Sequence, residues 1–265
     1  MRSRRRERDG HDARVAIDDS PSSAWICMAF ISGASRGIGL ALVERLLVTT
    51  ASSVVASGRS VAASAELQAL KAAHGERLTV LPMDVGDEES VAAAVGALPA
   101  GLEKLELVAH CAAMMHPSGR GETSIARMGP DKKGGAAMAA TLAVNVVGPS
   151  VLTAALWPRL RRKKSELDAG LRPGAVVAVG AGVGSISTNK AGGWYSYRVS
   201  KTALQVRTML VLLLMPLLLV LLRLLLRLLV LTPLPQALMM NLSIEGARAG
   251  VVAYTLYTKG SLLLL

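Results

Sequence analysis

Tyr197 and Lys201 stand four residues apart in the run Trp194-Tyr195-Ser196-Tyr197-Arg198-Val199-Ser200-Lys201. On a helix that spacing places a phenol and an ammonium on one face, one turn apart. A free phenol titrates near pH ~10, and a cation held beside it favours the phenolate, so its proton comes into play nearer neutrality. That is the chemistry of a general acid or base. Ordinary amphipathic helices carry the same spacing, so the reading depends on the elements that would have to hold this turn.

The apolar run Trp25 to Ser32 suits a buried parallel strand. It leads into Gly33-Ala34-Ser35-Arg36-Gly37-Ile38-Gly39, and a helical pattern follows from Leu40 to Val48. Strand, glycine turn and helix in that order form a phosphate cradle: backbone comes close at the glycines, and the helix N-terminus supplies N–H groups and a positive dipole. Gly33, Ser35, Arg36, Gly37, Ile38 and Gly39 are therefore candidate cofactor contacts. Further strands are predicted at Ser53 to Ser57, Leu78 to Met83, Leu105 to His110, Ala175 to Val179 and Val251 to Leu256, with helices near Val61 to Ala73 and Glu88 to Ala97. The alternation predicts an α/β fold with a Rossmann-type doubly wound parallel sheet. The second strand ends in Ser57-Gly58-Arg59, with no carboxylate where a ribose 2′-hydroxyl would need one. Arg59 and Arg36 suit a 2′-phosphate instead, which selects NADP, with NAD as the alternative. Asn145, polar amid Leu142-Ala143-Val144 and Val146-Val147, needs hydrogen-bond partners if it is buried.

Composition narrows the field. A chain of 265 residues suits one such domain with a substantial core. The formal charge of +11 would suit nucleic acid, but its arginines concentrate in residues 1–23 and around Arg159 to Lys164, so no nucleic-acid partner is expected. Residues 1–23 read as a disordered basic arm; five acidic residues within it weigh against an organelle transit peptide, leaving a cytoplasmic location with import as the alternative. Cys27 and Cys111 form no C-x-x-C and the four histidines show no zinc spacing, so no metal is expected.

Together, the glycine turn, Asn145, the loop His116-Pro117-Ser118-Gly119-Arg120-Gly121-Glu122 and the Gly184-Ser185-Ile186-Ser187 to Lys201 run resemble the short-chain dehydrogenase/reductase family, C-factor-like branch. The resemblance covers about residues 25–205 and 237–257. It implies an oxidoreductase moving hydride between a nicotinamide cofactor and a small carbonyl or alcohol, commonly as a homo-oligomer. By similarity, Tyr197 would protonate the carbonyl oxygen, and Lys201 would lower the tyrosine pKa and hold the ribose. Asn145 would position a water that relays protons, and Asp84, followed by Val85, would bind adenine. The family's catalytic serine usually lies thirteen residues before the tyrosine. Gly184 occupies that place here, and Ser185 is the nearest hydroxyl. The family's N-N-A-G is replaced by His110-Cys111-Ala112-Ala113, and after Tyr257 its substrate loop is replaced by a short leucine tail, residues 258–265. The C-terminal part of the fold is thus expected to be incomplete.

Residues 209–231 hold fifteen leucines, yet the uninterrupted apolar run Met209 to Leu222 is only fourteen residues. That is short for a membrane span, and a single crossing would split one sheet across a bilayer, so membrane insertion is not expected. Joining Gln205 to Ala237 restores one continuous helix, making Val206 to Gln236 a 31-residue insert. Valine codons begin GT and a glutamine codon can be CAG, the borders of an intron, so the segment reads as a retained intron within a domain of residues 24–205 and 237–257. The alternative function is a catalytically impaired dinucleotide-binding or interaction protein, membrane-associated through this insert. Transcript sequencing should recover a form shorter by those 31 codons; spliced transcripts that all retain them would contradict the reading.

Overall fold

The computed structural model describes residues 28–187 and 189–208, and the backbone of 251–256. Six strands form one sheet: β1 Met28–Ser32, β2 Ser53–Gly58, β3 Leu78–Pro82, β4 Leu107–His110, β5 Gly174–Val179 and β6 Val251–Leu256. Their order is β3-β2-β1-β4-β5-β6, and every pair is parallel. The helices are α1 Gly37–Thr49, α2 Ala65–His74, α3 Glu88–Gly96, α4 Gly134–Leu142, α5 Gly148–Leu160, α6 Lys164–Asp168 and α7, residues 195–208.

Parallel strands covered on both faces must be apolar at successive positions, and β1 shows why. Ala29 and Ile31 pack with Val43, Leu46 and Leu47 of α1 and Leu67 of α2, whereas Phe30 faces Val91 and Ala94 of α3 and Leu152, Leu156 and Leu160 of α5. Helices α4 and α5, with Ala143–Val147 between them in π-helical form, make one continuous helical stretch. Gly134–Leu160 is long and apolar enough by composition to cross a membrane. Its Leu152, Leu156 and Leu160 are nevertheless wholly buried in the sheet's core.

The predicted order of elements is the observed one, with shifts at the ends. Helix α2 begins at Ala65 rather than Val61 because the Ser64 hydroxyl accepts the Leu67 N–H at 3.3 Å, while Val61 is drawn into the core. Strand β4 begins at Leu107 rather than Leu105 because the Leu105 N–H turns aside to the Arg159 carbonyl at 3.0 Å. Helix α7 continues beyond Gln205: Thr208 is buried, and the Arg207 guanidinium donates to Pro149 O and Thr153 Oγ1, both at 2.8 Å. Of the Ala237–Tyr257 segment, 251–256 form β6 beside β5, in register from Gly174↔Val251 to Val179↔Leu256. The basic arm, the rest of the predicted insert and the tail lie outside the described residues.

The turn between β1 and α1 needs glycine for space. A Cβ on Gly39 would overlap the Gly33 carbonyl, and one on Gly33 would overlap the backbone of Ala112. Gly39→Ala should therefore lower stability by about 1–3 kcal/mol, as overpacking does. Urea unfolding checks this, and an unchanged midpoint would contradict the packing described.

Candidate active site

All strands point their C-terminal ends the same way, and the chain reverses its direction of travel across the sheet between β1 and β4. That is where open α/β sheets bind ligands. A cavity of about 650 Å³ opens there, lined by the glycine turn, the end of β2, the β3–α3 loop, Cys111 to Ala113 and Val144. Of the predicted cofactor contacts, Gly33, Ser35, Arg36, Gly37, Arg59, Asp84 and Val85 line it. Gly39 is buried beneath the turn and Ile38 is 39% exposed; neither lines the cavity, and nor do Tyr197 and Lys201. Ser60 and Ser64 line it without having been singled out in the sequence, and Cys111, noted there only for its position, lines it as well.

The residues present fit a dinucleotide. Helix α1 has no side-chain cap and no acidic residue in its first turn, so its N–H groups and dipole are left for an anion. A Cβ on Gly37 would meet nothing within 4 Å, which is the open side of a cradle. Arg59 Nη1 lies 3.9 Å from Asp84 Oδ2, with both side chains well exposed, so this pair holds Arg59 only weakly. Asp84 Oδ1 accepts the Gly86 N–H at 2.9 Å, which fixes the carboxylate at the rim.

Helix α7 carries the catalytic candidates. Lys201 is 2% exposed, and its Nζ donates to the Val179 carbonyl at the end of β5 at 2.8 Å. The same Nζ lies 5.7 Å from the centre of the Tyr197 ring. Burial pulls the Lys201 pKa down to about 8. Burial also raises the half-buried Tyr197 above its usual value, so the expected lowering by Lys201 is corrected: in this arrangement desolvation is the force acting on the phenol. Cys111 connects the two regions, since it lines the cavity and interacts electrostatically with Lys201; burial pushes its thiol up to about 12 against that cation's pull.

Asn145 is 1% exposed and finds the partners its burial requires. Its Oδ1 accepts the Met114 N–H and its Nδ2 donates to Met114 O, both at 2.7 Å, and Nδ2 also donates to Ser200 Oγ at 2.8 Å. Ser200 in turn donates to the Tyr197 carbonyl at 2.8 Å. The amide therefore joins the loop after β4 to the helix bearing Tyr197, from a π-helical turn of the kind that often marks functional sites.

Gly184 explains the displaced serine. A Cβ there would meet Gln205 Nε2 at 2.8 Å and the Lys201 backbone at 2.9 Å, so no side chain fits. Thr202 Oγ1 donates to Gly184 O at 2.7 Å and Arg198 Nη1 to Val183 O at 3.0 Å, holding this loop against α7. Ser185 lies in the same loop, and its hydroxyl is paired with Ser187 Oγ at 3.3 Å. His110, where the family has asparagine, reaches Thr153 Oγ1 with Nε2 at 2.9 Å. That hydroxyl donates to Pro149 O and accepts from Arg207, so His110 must donate from Nε2. Burial, reinforced by Arg207, lowers its pKa to about 3 and keeps it neutral.

Sequence reasoning missed Glu122. Only 5% exposed, it accepts the Ser196 N–H at 3.3 and 3.4 Å and the Ser196 hydroxyl, so it caps the first turn of α7. Burial pushes its pKa up, but the Ser196 hydroxyl and the neighbouring N–H groups outweigh this and hold it below the usual value.

Comparison with known proteins agrees with this geometry. The profile of the short chain dehydrogenase family matches residues 27–212. The chain belongs to the short-chain dehydrogenase family. It is 28% identical over 175 residues to an uncharacterized oxidoreductase of Schizosaccharomyces pombe, covering 66% of this chain and 62% of that relative's length. A carbonyl reductase from Pseudomonas aeruginosa PAO1 in complex with NADP superposes with a TM-score of 0.55 at 25% identity, over 69% of this chain and 71% of that one. A putative carbonyl reductase, Sniffer, of Caenorhabditis elegans gives a TM-score of 0.57 at 26% identity, over 68% and 76%. Within this short-chain dehydrogenase, the buried lysine has a measurable consequence.

Lys201 titrates near 8 when folded, against 10.5 for a free lysine, so between those values the unfolded chain binds more protons. Its charge therefore costs stability at neutral pH, and that cost is relieved as pH rises through the window. Lys201→Met should be more stable than the parent at pH 7 by a margin that shrinks by up to about 3 kcal/mol toward pH 10.5. A margin that stays constant across the window in urea unfolding would contradict the burial described.

Proposed function

We propose that the chain is an NADP-preferring carbonyl reductase, also able to oxidise the corresponding alcohol, of the C-factor-like branch. The observation that carries this reading is that α7 holds Lys201 on the Val179 carbonyl at the end of β5, beside Cys111 of the arginine-edged cavity, with Tyr197 one turn away and Asn145 tied to the same helix. The NADP complex of the Pseudomonas aeruginosa carbonyl reductase supports the same cofactor here. Arg59 and Arg36 would pair with the 2′-phosphate, and the first-turn N–H groups of α1 would hold the pyrophosphate. Asp84 and Val85 would meet the adenine.

A bound NADPH supplies hydride to the carbonyl carbon. Tyr197 then donates its phenolic proton to the carbonyl oxygen, so an alcohol leaves and a phenolate is left to be reprotonated. Its raised pKa suits it to hold that proton until the oxygen gains charge. Lys201, still largely protonated at neutral pH, would stabilise the phenolate from beside the ring. Asn145 keeps the helix and the loop after β4 in register, and Ser185 is the hydroxyl available to orient the carbonyl.

Tyr197→Phe should lower carbonyl-dependent NADPH oxidation by about 10²–10⁴-fold while leaving NADPH binding intact. Arg59→Ala should weaken NADPH about tenfold or more with little effect on NADH. Tight NADPH binding by the parent chain without turnover of any aldehyde or ketone would favour the non-catalytic alternative. Equal affinity for the two nucleotides would remove the NADP assignment.

A further inference from the structure

The first turn of a helix has N–H groups with no partner inside the helix, and a buried carboxylate is tolerated only where donors meet it. These two needs answer each other at Glu122. Its carboxylate takes the Ser196 N–H and hydroxyl, and its main-chain oxygen takes the Trp194 N–H at 2.5 Å. Tyr197 is the next residue along. The geometry is specific on both sides. Trp194 holds a left-handed φ of 52°, and its ring lies so close over Gly121 that a Cβ there would come within 2.7 Å of it. His116 completes the arrangement. Its Nδ1 lies 2.8 Å from Ser118 Oγ and 3.1 Å from the Ser118 N, which orients the ring so that Nε2 faces Glu122 Oε1 at 3.8 Å.

We propose that Glu122 is a positioning residue for Tyr197: it fastens the middle of the β4–α4 loop to the first turn of α7, while Asn145 fastens the near end through Met114 and Ser200. The two anchors make loop and helix one rigid unit. Neither Glu122, Ser196 nor Trp194 lines the cofactor cavity, so losing this anchor should move the phenol without disturbing the nucleotide. The inference rests on the reading of Tyr197 as the proton donor.

The test is Glu122→Ala, Glu122→Gln and Ser196→Ala in the full chain. For each, kcat, KM for the carbonyl, NADPH affinity by fluorescence, and amide hydrogen exchange over residues 194–200 are measured. Glu122→Ala should lower kcat about 10–100-fold with NADPH affinity within twofold of the parent. Exchange over 194–200 should quicken at least tenfold while the β1–α1 segment is unchanged. Glu122→Gln, which keeps a neutral acceptor, should recover most of kcat. Should Glu122→Ala fail to fold, Ser196→Ala, which removes only the hydroxyl donor, should still lower kcat about 3–10-fold at unchanged NADPH affinity. Exchange over 194–200 as slow as in the parent, kcat within twofold of it, or kcat and NADPH affinity falling together would overturn the proposal. If the parent turns over no carbonyl, the proposed activity fails on its own, and the exchange measurement still decides the role of Glu122.

Discussion

One amide holds the site together. Asn145 spends three hydrogen bonds in a water-excluded place, two on Met114 and one on Ser200, and through them the loop after β4 is held against the helix that carries Tyr197 and Lys201. A buried amide without these partners would be costly, so the interaction constrains both sides. The loop leaving β4 must come back against the π-helical turn, and α7 must lie with Ser200 facing it. That fixes the middle of α7, and the bonds of Glu122 to Ser196 and of Lys201 to Val179 O fix the turns on either side. The regular i→i−4 ladder is relaxed at Ala143–Val147, where Asn145 must reach its partners.

Burial rather than charge pairing then sets the electrostatics. Lys201, Tyr197, Cys111 and His110 are each pushed toward their neutral forms by desolvation, and each shift is larger in cause than any partner's field. At neutral pH a lysine titrating near 8 keeps most of its charge, so the resting arrangement is an ammonium on the Val179 carbonyl beside a protonated phenol. The parallel sheet makes this possible, because its strand ends supply carbonyls such as that of Val179 to satisfy an ammonium far from water.

Much of this was legible in the sequence because its signals are local. Buried parallel strands read as apolar runs, the glycine turn is constrained by backbone space, and Tyr197 and Lys201 face one another by helical spacing alone. Asn145 stood out as a polar residue among apolar ones. Glu122 did not, because a glutamate in a loop of glycine, serine and proline reads as a surface charge, and its partner Ser196 lies 74 residues away. Gly184 was recognised as the wrong residue at the serine position, but its reason, the Lys201 backbone beneath it, is a tertiary contact. The direction of the Tyr197 shift was misread for the same reason: proximity to a lysine follows from spacing, whereas depth of burial follows from how the helix packs.

The account's central claim is that a carbonyl carbon and a nicotinamide meet beside Tyr197. The most direct measurement follows deuterium from NADPH deuterated at both hydrogens of the nicotinamide C4 into an aldehyde or ketone panel, read by mass spectrometry of the alcohols formed. The account predicts one deuterium on the former carbonyl carbon, and a large fall in the amount of labelled alcohol formed by the Tyr197→Phe chain. Alcohols formed without the label, or label transferred equally well by the Tyr197→Phe chain, would contradict it.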